Sequence, residues 1–373
     1  MTDLAPACDA DGESQAPERR KTNRARPALI YNIVFASMAL ANFLTYLSFR
    51  TRGQVYYFVL FTLFCFVTFR WNVGCDFNSY LMHSVELGPM PFEDVFQLTE
   101  PGYWMVVVLL NRLGLDFPAI NVLASISFFS GIHAIAKRQP DPLIFITLAF
   151  PILITGIAMS AMRQSLALGF VCFAYMAFVD KKAFKFVVWI LIASSFHKSS
   201  LAFFALLPFL IEIGDRYRIL AALASLPPIV LFLSSGLTES YTKIYIGGEY
   251  DAAGGPARTF IVAATGAAFY FLKDRWLRYS PKDFMLLNTM YPIMLIVFPI
   301  TFISSVIGDR FGYYLMPIAF IVQGKAYLIA PRQLSMAWFI TPLFVSGAAL
   351  LVWSIYSKLF AECYLPYQTW WAS

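Results

Sequence analysis

Runs of apolar residues, separated by short polar connections, fill the chain from residue 28 to residue 356. They occupy 28–48, 54–69, 117–136, 143–160, 163–179, 184–196, 199–213, 218–235, 258–273, 284–306, 311–330 and 335–356. The runs are continuous and lack the alternation of lipid-facing barrel strands, so the predicted elements are helices that satisfy their own backbone polar groups. The pattern predicts an all-α polytopic membrane bundle with about 12 transmembrane helices, in a range of roughly 10 to 13. The runs at 184–196 and 199–213 fall short of the ~20 residues a straight span needs and call for extension or shielding inside the bundle. Residues 1–27 are polar and turn basic just before the first run, which predicts a disordered tail followed by a single multi-spanning domain over 28–373. The first run is long enough to span and has no small-residue cleavage site after it, so it reads as an uncleaved helix.

Basic residues assign the sides. "KRQPDP" (137–142), "DKKAFK" (180–185), "DRYR" (215–218), "KDRWLRYSPK" (273–282) and "APRQ" (330–333) fall in every second connection, which the positive-inside rule places in the cytoplasm. The connections near Arg163, His197, 236–257 and Arg310 are then external. The segment "EPGYWMVVVLLNR" (100–112) decides the side of Asp76. Its apolar part, Tyr103 to Leu110, would be only ~12 Å long as a helix, so a re-entrant or juxtamembrane helix is predicted near 101–112. Asp76 then joins Arg163, His197 and Arg310 outside. The same choice leaves Arg50 and Arg52 cytoplasmic and puts the basic tail outside, against the usual bias.

Composition agrees with a membrane protein. Of 373 residues 59% are hydrophobic and 13% charged, and the mean hydropathy is +0.64. The net charge of +6 lies in the orienting clusters, so no nucleic-acid partner is implied. The five cysteines (Cys8, Cys65, Cys75, Cys172 and Cys363) contain no CxxC pair, and neither a disulfide framework nor a zinc site is predicted. There is no Walker loop, GxGxxG, HExxH or GxSxG.

Chemistry-bearing residues cluster in the external connections. "FRWNVGCDFNSY" (69–80) sets Arg70, Gly74, Asp76 and Tyr80 within a few positions, more than a joint between helices needs. Arg163, with Gln164 beside it, stands between two apolar runs. It is either a snorkelling arginine or an anion site, because a guanidinium clamps phosphate bidentately. His197, followed by Lys198, is either structural or a proton acceptor. Arg310 sits in "GDRFGYYLMP" with Tyr313 and Tyr314, and Asp309 beside it reads equally as a solvated surface charge. Glu100 opens the short helix, where the helix dipole alone accounts for a carboxylate.

Taken in order, these pieces resemble the EpsG family of bacterial exopolysaccharide polymerases, related in role to the Wzy polymerases. "RWNVGCDFNSY" is similar to that family's Arg, Gly-Thr-Asp-Tyr, Tyr signature, and "EPGY", "MRQSLALGF", "FHKSSL", "DRFGYY" and a terminal "YLPYQTWW" follow. Cys75 and Phe77 depart from the family's usual Thr and Tyr.

The resemblance implies a glycosyltransferase of the cytoplasmic (inner) membrane that joins oligosaccharide repeat units carried on undecaprenyl diphosphate, at the periplasmic face. A sugar hydroxyl attacks an anomeric carbon and a lipid diphosphate leaves. Such a site needs cations, a base and a lateral opening for the lipid. Under this reading Arg70, Arg163 and Arg310 are the cations, with Gln164, Tyr80, Glu100, Lys198, Tyr313 and Tyr314 as further substrate-binding residues. His197 and Asp76 are the catalytic candidates, His197 as base because a carboxylate among arginines is expected to be weakly basic. No metal or cofactor is expected, since the external acids form no obvious cluster and arginines can neutralise the leaving diphosphate. The implied partners are the lipid-linked oligosaccharide, the growing polysaccharide, membrane lipid and a chain-length regulator or export complex. Alternatives are an O-antigen ligase or other lipid-linked glycosyltransferase, which differs in acceptor, and a flippase, which would place charges at mid-membrane and often carries internal repeats.

Overall fold

The computed structural model describes residues 18–45, 48–211, 214–234 and 254–371. The helices are α1 (Glu18–Leu44), α2 (Phe49–Thr68), α3 (Phe77–Leu87), α4 (Phe92–Val95), α5 (Pro101–Arg112), α6 (Phe117–Ala136), α7 (Pro142–Ala149), α8 (Met162–Val179), α9 (Ala183–Phe196) and α10 (Asp215–Ser234). Beyond residue 253 come α11 (Gly255–Phe271), α12 (Lys273–Tyr279), α13 (Pro281–Ile303), α14 (Ser305–Ile329), α15 (Ser335–Tyr356) and α16 (Lys358–Tyr364). Two short strands, β1 (Arg70–Trp71) and β2 (Gln368–Thr369), pair antiparallel with Arg70 opposite Thr369. The fold is all-α, as the unbroken apolar runs require. Of the predicted tail, residues 1–17 lie outside the described residues, and α1 runs through the remainder; the external 236–257 connection is described only from residue 254.

The expected count of about 12 spans is confirmed only in part. Among the described residues four helices are long and apolar enough to cross a membrane: Phe117–Ala136, Met162–Val179, Pro281–Ile303 and Arg332–Tyr356. Shorter apolar helices cover Leu29–Leu44, Pro142–Ala158, Ala183–Phe196 and Lys198–Leu210. Several of the shorter elements owe their length to local geometry. The Pro142 helix changes to π-helix over Phe150–Ala158, with Pro151 inside the change, and Lys198–Leu210 is wound as a 3-10 helix. At ~2.0 Å per residue such a helix reaches about 26 Å in 13 residues, close to the ~30 Å hydrocarbon core. Polar residues inside the helices also lower the count: α14 carries a buried Lys325 paired with Asp283.

The bundle has two chemically distinct ends. At one end the basic connections meet. Arg138 forks onto Asp180 at 2.8 and 3.0 Å, Tyr327 donates to Asp141 at 3.3 Å, and Arg275 donates to the Ile329 carbonyl at 3.4 Å. Near the start of α2, Arg52 belongs to this end too, its Nε donating to Asp141 at 2.7 Å. At the other end, α2 finishes against the π-helical turn, where Arg70 reaches the Met159 carbonyl, and α6 begins with Phe117 edge-on to Phe77 at 5.2 Å. Residues 70–117 therefore leave and re-enter the bundle at one end, and α5 makes no net crossing. Helix α1 places Tyr31 at this same end, where its hydroxyl donates to the Tyr364 carbonyl at 3.1 Å.

Candidate functional site

Local sequence explains how the 69–80 segment becomes a fixed wall. Gly74 has φ +110°, and a Cβ there would overlap the Met159 carbonyl, so only glycine lets the chain press onto the Met159–Ser160 turn that precedes α8. Just beyond it, the Cys75 amide donates to Ser160 Oγ at 3.1 Å and the Gly74 amide to the Cys363 carbonyl at 2.7 Å. Cys75 is disulfide-bonded to Cys363, 288 residues downstream. This corrects the expectation that the cysteines form no disulfide; with no CxxC spacing, only the fold reveals the pair. Strand β2, Tyr367 and the disulfide form a strap that holds the loop: Tyr367 stacks on Phe66 at 4.5 Å and donates to its carbonyl at 2.7 Å.

"EPGY" is built for close approach. Glu100 occupies the left-handed region at φ 64°, ψ 56°, a conformation that costs a non-glycine residue about 1–3 kcal/mol and is tolerated where the surroundings impose it. Pro101 then starts α5 in a position that needs no amide donor. Gly102 lies so close to α9 that a Cβ would collide with the Ser195 side chain. Tyr103 is fully buried.

That approach brings Glu100 to His197. His197 Nδ1 is 2.6 Å from Glu100 Oε1, the Lys198 amide donates to the same oxygen at 3.2 Å, and Arg163 Nη1 donates to Oε2 at 2.8 Å. The carboxylate is 5% exposed at its side chain and the guanidinium 30%, so the arginine faces outward from a buried anchor. Because an ionised carboxylate only accepts, Nδ1 carries the proton and Nε2 the lone pair. Nε2 is buried without a hydrogen-bond partner among the described residues. Burial raises the Glu100 carboxyl, but the His197 hydrogen bond, His197 and Arg163 charges and Lys198 amide outweigh it and bring it to about 2. Burial lowers His197; Glu100 pulls it up, and Arg310 and Arg163 push it down, leaving it below its ordinary 6.5. The direction for both is the same statement: an anionic Glu100 holding a neutral imidazole.

The other predicted residues divide. Asp76 is exposed at the mouth of the recess, and enough protein surrounds it that burial raises its carboxyl against the pull of Arg163 and Arg310. The depressed carboxyl expected among arginines is therefore not found, because burial outweighs their charge. Tyr80 is buried, accepts from the Arg163 amide at 3.4 Å, and lies 5.8 Å under the guanidinium. Gln164 is buried and its Nε2 donates to the Arg310 carbonyl at 2.9 Å, fixing the turn that carries Arg310. Tyr313 lies under Arg258 at 5.2 Å. Tyr314 faces the core with no exposure and takes a 3.4 Å contact from Ser199 Oγ.

Arg70, expected as a substrate cation, is 3% exposed. Its Nη1 donates to Val67 O at 2.6 Å and its Nε to Met159 O at 3.1 Å and Val73 O at 3.3 Å. These bonds make it a brace for the loop. Sequence reading missed Arg258, which follows the Gly pairs of 245–258 and starts α11. Its Nε donates to Asp309 Oδ1 at 2.7 Å. Asp309, read as a possible solvated charge, is 9% exposed and holds this arginine. Loop parity could have found Arg258, since α11 begins on the side of Arg163 and Arg310.

The model of the EpsG family matches residues 53–369. The chain belongs to the EpsG family. Every residue of the Glu100, His197, Arg163, Asp76 and Arg310 group lies inside the matched span. No curated protein and no solved structure matches the chain. Membership of the EpsG family suggests a Wzy-like polysaccharide polymerase role, which implies a lipid-linked oligosaccharide substrate, and the apolar helices fit a membrane protein. Chemically, this EpsG-family site offers a neutral imidazole backed by a carboxylate, an outward guanidinium and a second carboxylate at its mouth.

Proposed function

We propose that this EpsG-family protein polymerises oligosaccharide repeat units carried on undecaprenyl diphosphate, by glycosyl transfer at the periplasmic face of the inner membrane. The acceptor hydroxyl oxygen bonds to the anomeric carbon of the donor while the bond from that carbon to the diphosphate breaks. The hydroxyl proton passes to His197 Nε2, and undecaprenyl diphosphate departs as an anion. Glu100 stabilises the imidazolium through Nδ1–H, a charge-assisted bond stronger in the transition state than before it. Arg163 and Arg310 take the charge of the leaving diphosphate, Asp76 accepts hydrogen bonds from the acceptor sugar, and Arg70 braces the loop that carries Asp76.

The observation that carries this reading is the Nε2 of His197, unpartnered among the described residues and set by Glu100 beside arginines at one end of the bundle. The Cys75 to Cys363 disulfide favours an oxidising compartment for that end, and the basic connections gather at the opposite one. His197→Gln is expected to keep folding and substrate binding while turnover falls, with single repeat units accumulating on the lipid; Asp76→Asn is expected to weaken acceptor use. Near-normal turnover in His197→Gln, with Asp76→Asn inactive but still binding substrate, would reverse the two roles.

A further inference from the structure

A cavity of about 430 Å³ lies beside the catalytic recess, in the size range of ligand sites. Its walls come from α3, α5, the start of α6 and the strap. On α3, Tyr80 contacts Arg163 while Ser84, one turn further, lines the cavity. Along α5, Glu100 stands at the N-terminus and Asn111 lines the cavity, about 16 Å on at 1.5 Å per residue. The cavity therefore lies further along the two helices that carry the recess, past the buried cluster of Tyr80, Tyr103 and Trp104. Trp71 of β1 and Trp370 beyond β2 close its far side, with Phe117 from α6.

The lining selects the chemistry of the occupant. Trp71, Trp370 and Phe117 contribute aromatic rings to a wall otherwise built from aliphatic side chains. Ser84, Asn111 and Asp116 supply hydrogen-bonding groups at the same wall. Asp116 is the only charged residue among the described residues lining the cavity; the adjacent Arg112 turns away, its guanidinium 3.9 Å over Phe92. A phosphate headgroup would meet a carboxylate and no cation here. A neutral sugar chain, apolar on its ring faces and hydroxylated at its edges, matches both sets of groups.

We infer that this cavity is a glycan subsite that holds an uncharged stretch of the growing polysaccharide behind its reacting end, an inference that rests on the polymerase reading. Retention there keeps the growing chain on the enzyme between additions, so the subsite sets polymer length.

The test uses the full chain in nanodiscs, with neutral lipid-free oligosaccharides released from the organism's own polymer as the probe. Isothermal titration calorimetry is run on the wild type, Trp370→Ala and Asn111→Ala, and polymer length is read from cells carrying each. Trp370 also stacks near Phe69, at 6.0 Å, whereas Asn111 lies on α5 away from the strap. A loss of the strap alone would thus spare Asn111→Ala. The expected result is binding weakened about tenfold or more in both variants and a shift to shorter polymer. Unchanged affinity and length in Asn111→Ala overturn the subsite, as does displacement of the oligosaccharide by phosphatidylglycerol, which would mark a lipid site. If wild-type protein binds the probe through Trp370 and Asn111 but forms no polymer from lipid-linked repeats, the polymerase reading fails and the glycan site stands. If His197→Gln stops polymerisation while neither cavity variant alters binding, the subsite alone fails.

Discussion

Glu100→Gln separates a catalytic dyad from a packing contact. The carboxylate takes three hydrogen bonds, from His197 at 2.6 Å, Arg163 at 2.8 Å and Lys198 at 3.2 Å. Glutamine keeps the shape and one acceptor. With its oxygen toward His197 and Lys198, its NH2 faces the Arg163 donors, so the arginine bond is lost and the histidine bond becomes neutral. Charge-assisted bonds contribute about 1.5–3 kcal/mol and neutral ones about 0.5–1.5 kcal/mol. The imidazolium formed during transfer also loses its counter-charge, roughly 4 kcal/mol at 4 Å and an effective dielectric of 20 before solvent and relaxation reduce it. A net cost of about 2–4 kcal/mol in the transition state corresponds to a turnover loss of roughly 30- to 1000-fold. The pH profile carries a second signature. His197 acts as a base only when neutral, so the wild-type rate is high above its pKa, which lies below 6.5, and falls as pH drops through it. Glu100 raises that pKa, so its removal moves the acid limb to lower pH while the plateau falls. Membrane vesicles supplied with lipid-linked repeat units, assayed for polymer from pH 4.5 to 8, give both quantities. A plateau within threefold of wild type, or an acid limb that stays in place, would refute the dyad.

Arg163→Lys keeps the charge but loses the planar fork that can hold Glu100 and phosphate together, so polymer yield should drop at least tenfold; wild-type yield at equal protein would show that charge alone suffices. Cys75→Ser should lower the thermal stability of detergent-purified protein by about 2–4 kcal/mol, and dithiothreitol should bring the wild type to the same level without affecting the variant. Maleimide labelling of both cysteines before reduction would contradict the disulfide. Gly102→Ala should push α5 off α9 and cut activity more than tenfold, with partial recovery in the double variant with Ser195→Gly. No recovery would mean that the loss does not arise at that contact.

Much of the architecture was legible because it is written locally. Basic clusters in alternate connections marked one end of the bundle, and the ~12 Å apolar part of 103–110 was too short to cross, so 70–117 returns to the end it leaves. The order of the motifs identified the family. What sequence could not separate were groups alike in type and different in surroundings. Arg70 and Arg163 both follow apolar runs, yet three backbone carbonyls occupy one and a carboxylate anchors the other. Glu100 looked like a helix-start carboxylate because His197 is 97 residues away. Asp76 was expected among the low carboxyls because neighbouring charges can be guessed from order and burial cannot. Length and hydropathy single out four spans among the described residues because 3-10 and π winding, and buried polar residues such as Lys325, interrupt the uniform apolar α-helix that those measures register.

The strap has a consequence for biogenesis. Arg70, Asp76, Glu100, Arg163 and His197 have all been synthesised and threaded well before Cys363 leaves the ribosome. Until Cys363 arrives, the Gly74 to Asp76 turn lacks its disulfide and β1 lacks its strand partner. A nascent or truncated chain thus holds these side chains without the tie that positions the Gly74 to Asp76 turn. Under the proposed function, full activity is expected only once these two cysteines, 288 residues apart, are joined.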